Sequence, residues 1–409
     1  MRFPPELCGK IAQDIRDSDW ELHEHAPDIE QWKDENATLY ALSLVSKVWR
    51  AETIRHLWSG IILSEGIDDV SDGGPSERLI SRILASCNAS KHNVAPYIRR
   101  LYVEGTCNEM EESDVISGIC DFLTTCSRIH YLRLEFHAHP RRLMVLRTLS
   151  SLRFPHLKTF HLAVAEAENK ESEHLSDFLL VHPGIQLLRL EGLSRMLESQ
   201  FQSLREKCPL PALEKIVTDI LSLPILSSSS PVKTIECIPS LSAGSHSAGT
   251  GAFIWALSRL AHPLPNVTEL VIHRGGFEVD SVVLPGLGHF FPSLQVLDGV
   301  SVSELFFRLM GSVDRRVSPS DSILPELRTL VVYEIYGRDG KSYNQDVAFA
   351  TPTYTTIRKA MKALPLHFPA IMSAKYVKEG HKSLQLTTSN CIRMQFLEDG
   401  TVDESKRNN

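Results

Sequence analysis

The sequence predicts an α/β protein in which a short helical N-terminal motif precedes a solenoid of strand–helix repeats. Three observations carry that prediction. A phrase of the form Pro-x-apolar-x-x-apolar-x-apolar recurs through the chain at near-regular spacing. The segments between its copies place apolar residues three and four apart, the helical period. The first sixty residues lack the phrase and carry three helical patterns of their own.

In the N-terminal motif, Pro4 and Pro5 suit the first turn of a helix, where a missing N–H leaves no bond unmade. Leu7, Ile11 and Ile15 then recur every four residues along one face. A second helix is expected to begin after Thr38 as N-cap and to run through Leu39, Leu42, Val45 and Trp49, with Leu44 and Val48 on an adjoining face. A third segment carries Ile54, Leu57 and Trp58. Between the first two helices, residues 16–37 hold eight acidic side chains against Arg16 and Lys33, which reads as a solvated acidic insertion. Helices this short cannot bury all their apolar surface among themselves. The surplus must either meet a partner or cap the open end of the repeats.

The repeated phrase begins at Pro96, Pro155, Pro183, Pro211, Pro265, Pro292 and Pro325, with Ser127 in place of proline once and a weak copy at Val232. Its first apolar anchors are Ile98, Ile129, Leu157, Ile185, Leu213, Val267, Leu294 and Leu327, spaced 31, 28, 28, 28, 54, 27 and 33 residues apart. Val232 divides the long interval. Helical patterns fall at 76–89, 112–126, 173–181, 195–206 and 252–261, so each strand is expected to be followed by a helix. Parallel strands on a concave side and helices on a convex side follow from that alternation. Ser/Gly-rich stretches at 227–230 and 240–251 read as loops, and 315–321 as an exposed turn. After Tyr333 the phrase is expected to stop, leaving a helix at 355–363, strand-like alternation at 383–386 and 392–397, and a frayed polar end over 403–409. The domain boundaries that follow are 1–63, 64–340 and 341–409.

On the strands, alternate residues face away from the helices. One such column reads Tyr102, Arg133, His161, Arg189, Val217, Val271, Asp298 and Val331; its neighbour reads Glu104, Glu135, Ala163, Glu191, Asp219, His273, Val300 and Tyr333. Tyr102, Arg133, His161 and Arg189 are the candidate substrate-binding strip, a cationic and aromatic run that could read a protein partner. The competing reading is a ladder of Arg–Glu pairs facing water.

The totals argue against several functions. With 43% hydrophobic and 23% charged residues among 409 the chain is globular in composition, and a net charge of −7 argues against a general nucleic-acid binder. No apolar run approaches the ~18 residues that cross a bilayer. The opening residues lack the apolar core of a secretory signal, so a cytoplasmic or nuclear location is expected. The eight cysteines form no C-x-x-C pair, so buried free thiols are expected and no metal site. No GxSxG, P-loop or HExxH motif occurs. Gly286 and Gly288 are followed by Phe291 where a dinucleotide loop needs its third glycine. Neither a catalytic residue nor a cofactor is expected.

Two resemblances sharpen the reading. The strand phrase is similar to the L-x-x-L-x-L segment of leucine-rich repeats, whose period range includes 28 residues, although the Asn or Cys that usually follows is missing. The N-terminal runs FPPELCGKIAQDI and TLYALSLVSKVWRAETIRHLW resemble the F-box motif, through Phe3-Pro4, Glu6-Leu7, Ile11, Val45-Ser46-Lys47-Val48-Trp49-Arg50 and Leu57-Trp58. The wording is especially like F-box proteins of mushroom-forming fungi, except for the insertion at 16–37. What the resemblance implies is a non-catalytic substrate receptor of a Skp–cullin–F-box ubiquitin ligase. Pro4, Leu7, Ile11, Leu42, Val45, Trp49, Leu57 and Trp58 would form the motif core and the contact with a Skp-type adaptor, and through it a cullin. An unidentified protein substrate would lie on the concave repeat face. The alternative is a repeat scaffold whose F-box-like segment only caps the solenoid.

Overall fold

The computed structural model describes residues 3–16, 29–64, 94–105, 113–136, 142–164, 169–192, 202, 205–206, 210–238, 250–260, 262–273, 283–301, 310, 324–334, 354–382, 385–396 and 402–407. They form an α/β fold of N-terminal helices followed by strand–helix repeats of the leucine-rich-repeat type. The chain divides into two compact units, Met1–Arg189 and Leu190–Asn409.

The first unit opens with α1 (Pro5–Arg16), α2 (Ile29–Val45) and α3 (Lys47–Leu57), followed by β1 (Gly60–Ser64). Helix α2 starts nine residues before Thr38, which lies inside it and donates its hydroxyl back to Asp34 O at 2.9 Å. The second half of the acidic stretch is therefore helical, with Asp34 exposed as expected and Glu35 buried against expectation. Arg16, 2% exposed, pairs with buried Glu35, and that pairing satisfies a charge that the sequence assigned to water. Ser46 alone separates α2 from α3; its Oγ accepts from Trp49 N at 3.3 Å, the N-cap bond that starts α3.

Strands β2 (Arg100–Gly105), β3 (Tyr131–Phe136) and β4 (Thr159–Val164) follow, with helices α4 (Ser113–Thr125), α5 (Arg142–Ser151) and α6 (Asn169–Leu180). Strands β1 to β4 pair in parallel and in chain order. The division between the units falls inside β5 (Leu187–Glu191).

The second unit contains β6 (Lys215–Asp219), β7 (Thr234–Ile238), β8 (Glu269–Ile272), β9 (Val296–Ser301) and β10 (Thr329–Glu334), again parallel in chain order. Its helices are α7 (Thr250–Arg259), α8 (Val283–Phe290) and α9 (Tyr354–His367), and a 3-10 turn, Ile220–Ile225, replaces the helix after β6. Gly286 lies in α8, where an added Cβ would sit 3.3 Å from Leu257 of α7; the glycine serves helix packing.

The repeated phrase has a local cause. In Phe154-Pro155-His156-Leu157 the Leu157 N–H donates to Phe154 O at 3.0 Å, a β-turn with proline at its second position, where a fixed φ suits the turn. The same bond precedes the anchors Ile98, Ile185, Leu213, Val267, Leu294 and Leu327. These anchors, with Ile129, Leu157 and Val232, are at most 2% exposed, so Val232 begins a true repeat. From repeat to repeat, two successive N–H groups then share one carbonyl: His130 and Tyr131 on Arg99 O, Lys158 and Thr159 on His130 O, Gln295 and Val296 on Thr268 O. This backbone ladder runs along the start of the strands.

Three tail expectations are corrected. The phrase does not stop after Tyr333: Phe368-Pro369-Ala370-Ile371 makes the same turn, and β11 (Ser373–Lys382) joins β10 in parallel. Of the alternation expected at 383–386 and 392–397, the described residues 385–386 and 392–396 belong to one long strand, β12 (Gln385–Phe396), antiparallel to β11. The polar end is not frayed over 403–407, because β13 (Val402–Arg407) pairs with β12 and Glu404 accepts from Arg358 of α9 at 2.7 Å. Expected helices at 76–89 and, for the most part, 195–206, and the loops at 240–249 and 315–321, lie outside the described residues.

Candidate partner-binding surfaces

Two surfaces of the first unit contain the residues singled out in the sequence. The first is apolar and lies on the helical motif. Tyr40 and Leu44 stand one turn apart on α2, and Val45 and Val48 flank the Ser46 turn. Leu44 and Val45 are 68% and 65% exposed, and Tyr40, Val48, Leu7 and Phe3 are exposed with them. The Phe3 ring packs edge-on to Trp49 at 6.2 Å, which brings the start of α1 to this end of the α2–α3 hairpin. A tightly turned, capped hairpin that leaves so much apolar surface in water is an interface signature.

The expected adaptor residues divide here. Pro4, Leu7 and Val45 are exposed, Ile11 and Leu42 are half-buried, and Trp49 is buried. Leu57 and Trp58, both half-buried, lie at the far end of α3 beside β1. The residues α1 buries are Cys8, Gly9, Ala12 and Arg16, one position round from the Leu7, Ile11, Ile15 stripe. Tyr40, Leu44 and Val48 complete the patch. Periodicity marked Leu44 and Val48 as apolar but could not distinguish an outward face from an inward one.

The second surface is the charged column. The register Ile62↔Tyr102↔Arg133↔His161 sets these side chains in line across β1 to β4. The column is not solvated: Tyr102, Arg133 and His161 are 2%, 6% and 2% exposed, and Glu135 of the neighbouring column is also buried. Arg133 Nε donates to Glu135 Oε1 at 2.5 Å, and His161 Nδ1 stands 3.8 Å from the same oxygen. The Tyr102 hydroxyl donates to Glu104 at 2.8 Å and lies 3.3 Å from Glu135, while the Arg133 guanidinium sits 5.1 Å from the centre of the Tyr102 ring. Burial first, then Glu135 and Glu104, push the Tyr102 phenol upward, so it stays a donor. Desolvation opposes the charge on Arg133; Glu135, Tyr131 and Tyr102 together outweigh it and raise its pKa. Arg189 is half-buried and is the most accessible of the four.

The second unit repeats this theme with Glu236 at the centre, a residue absent from the predicted columns because its repeat is the weak copy. Glu236, 3% exposed, takes Lys215 Nζ at 2.8 Å on one oxygen and His273 Nε2 on the other. It shares its column with Val217, Val271 and Asp298. Burial raises the Asp298 pKa, against the pull of Lys375 and His273. Val300 leaves its predicted column. Gly299 is a bulge, so Asp298 faces Val331 but Val300 faces Val332, and Val300 turns into the core at 1% exposure.

Among the described residues no group of three or more His, Cys, Asp or Glu could hold a metal ion, and no helix is long and apolar enough to cross a membrane. Cys8, Cys120, Cys126 and Cys237 are buried free thiols.

No protein-family model matches the chain. No characterised protein matches it by sequence. Among solved structures it is similar to the leucine-rich repeat-containing protein LegL7 from Legionella pneumophila, at 12% identity and a TM-score of 0.37, over 77% of this chain and 91% of that one.

Proposed function

We propose that the chain is the substrate-recognition subunit of a Skp–cullin–F-box ubiquitin ligase, with residues 1–63 docking the Skp-type adaptor and the repeats holding a protein substrate. One observation carries the reading: the segment whose sequence resembles the F-box folds as a capped helical hairpin and leaves Leu7, Leu44, Val45 and Val48 exposed at one end. Adaptor docking would remove that apolar surface from water, at roughly 25 cal/mol per Å². The chain itself would position rather than catalyse, with ubiquitin transfer done by other subunits. The repeats through β11 are assigned as the substrate-binding body and the antiparallel strands β12 and β13 as their C-terminal cap.

The substrate is assigned to the strand face that carries Tyr102, Arg133, His161 and Arg189. Arg189 is its accessible contact, and Tyr102, Arg133 and His161 are buried side chains of the same predicted column. A scaffold reading has one observation in its favour: Trp32 of α2 packs on Ile62 and Tyr102, as a cap on the first strand would.

The discriminating experiment is co-purification with a Skp-type adaptor. Trp49 is a poor site for the disrupting charge, because a buried residue confounds binding with folding. Leu44→Asp/Val45→Asp is the informative variant, since both side chains already face water. Loss of the adaptor from a variant that melts like the parent is the expected result. A folded parent chain that captures no adaptor would favour the scaffold.

A further inference from the structure

Arg16 is the last residue of α1, yet most of its bonds are to other elements. Its Nε donates to His56 O at 3.0 Å, and its Nη2 lies 3.0 Å from Leu57 O, 3.3 Å from Gly60 O and 2.7 Å from Asn36 Oδ1. Nη1 reaches Glu35 at 3.3 Å. A single guanidinium thus satisfies the carbonyls that end α3, the first carbonyl of β1 and two side chains of α2. The C-terminal end of a helix carries partial negative charge, so a cation there is favoured electrostatically as well. Burial lowers the Arg16 pKa and Glu35 opposes it; an arginine stays charged under both.

A second side chain reaches the same carbonyl. Trp32 Nε1 donates to Gly60 O at 3.2 Å, and its ring packs on Ile62 of β1 and Tyr102 of β2. Trp32 and Glu35 both sit on the part of α2 that precedes Thr38, the extension that departs from the F-box pattern.

We infer that Arg16 and Trp32 form a locked joint between the helical motif and the first repeat strands, holding the exposed apolar patch at one fixed orientation to β1 and β2. Both are positioning residues. A single short connection, Trp58-Ser59, links α3 to β1, and a hinge there would let the motif swing. The joint closes that hinge from three directions: α1 through Arg16, α2 through Trp32 and Glu35, and α3 through its terminal carbonyls. The functional meaning rests on the proposed adaptor reading, in which a substrate on the repeats would be presented at a set distance and angle from whatever the patch binds. The mechanical claim does not depend on it.

The test uses the full chain with spin labels on genetically encoded azido residues, so that the native cysteines stay unlabelled. Positions 50 and 147, exposed in α3 and α5, span the joint; positions 128 and 147 report on the repeats alone, and 38 and 50 on the hairpin alone. The parent chain should give one narrow distance distribution across the joint. Arg16→Met/Glu35→Met removes both charges together, so no orphan charge is left buried. Trp32→Phe keeps an aromatic ring but removes the bond to Gly60 and part of the packing on Ile62 and Tyr102. Either variant should broaden the 50–147 distribution and leave both control pairs unchanged. A residue that only stabilised the fold would lower the melting temperature without widening that distribution. A broad 50–147 distribution in the parent chain, or an unchanged narrow one in both variants, would overturn the inference whether or not an adaptor binds.

Discussion

Gly299 has no room for a methyl group. Its φ is +88°, and an added Cβ would stand 1.8 Å from Ile272 O, a backbone atom fixed in the neighbouring strand. Gly299→Ala is therefore expected to destabilise the second unit by more than about 3 kcal/mol, read by chemical denaturation. Asp219 supplies a pH signature for the same unit. It is 1% exposed, its Oδ2 accepts from Ser222 at 2.9 Å, and burial raises its pKa from 3.8 to about 6. A pKa raised in the folded state favours folding below the unfolded value, and that benefit is lost as pH rises through about 6. A shift of this size is worth about 3 kcal/mol. Asp219→Asn should flatten the fall in stability between about pH 4 and pH 6; an equally steep fall in the variant would place the effect elsewhere. His182 acts with the opposite sign in the first unit. Its Nε2 accepts from Phe154 N at 2.8 Å and its Nδ1–H donates to Phe178 O at 2.6 Å, so the neutral ring is fully used, and burial lowers its pKa. The contribution of His182 is present above its ordinary value of 6.5 and is lost as pH falls below it. His182→Asn should lower stability at pH 7 and weaken its decline on acidification.

At the scale of elements, the repeats were legible because proline plus an apolar anchor is a local signal; it located seven copies, and the anchor pattern alone added those at Ser127 and Val232. The copy at Pro369 escaped because Ala374 is a weak apolar signal and 44 residues separate Ile371 from Leu327. The early start of α2 was illegible for another reason. Glu35 reads as solvated like its exposed neighbour Asp34 until Arg16, distant in sequence, supplies the buried charge it needs. A bulge is equally silent: alternation placed Val300 outward, and one extra residue at Gly299 reversed it. The register of the Tyr102–Arg133–His161 column was readable from the phrase, but alternation cannot say whether a face meets water. The terminal hairpin tests how far a tertiary contact orders a polar strand. Glu404, held by Arg358 at 2.7 Å with Lys362 at 3.8 Å, ties β13 to α9. Glu404→Gln should cost less than about 1 kcal/mol, because Arg358 is half-exposed. Amide exchange should nonetheless rise in 402–407 and remain unchanged in β11.

For the whole molecule, function depends on what covers the apolar end of the helical hairpin. A globular protein can leave single apolar side chains in water, but six at the end of one small motif imply a partner. In the proposed reading that partner is a Skp-type adaptor, and the exposed residues mark where it would dock. The most direct measurement is hydrogen–deuterium exchange on the full chain, alone and with a purified Skp-type adaptor. Protection confined to residues 3–7 and 40–48, with the repeat strands unaffected, is the expected result. No binding, or protection that falls on the strands while the hairpin end stays open, would contradict the ligase-receptor reading.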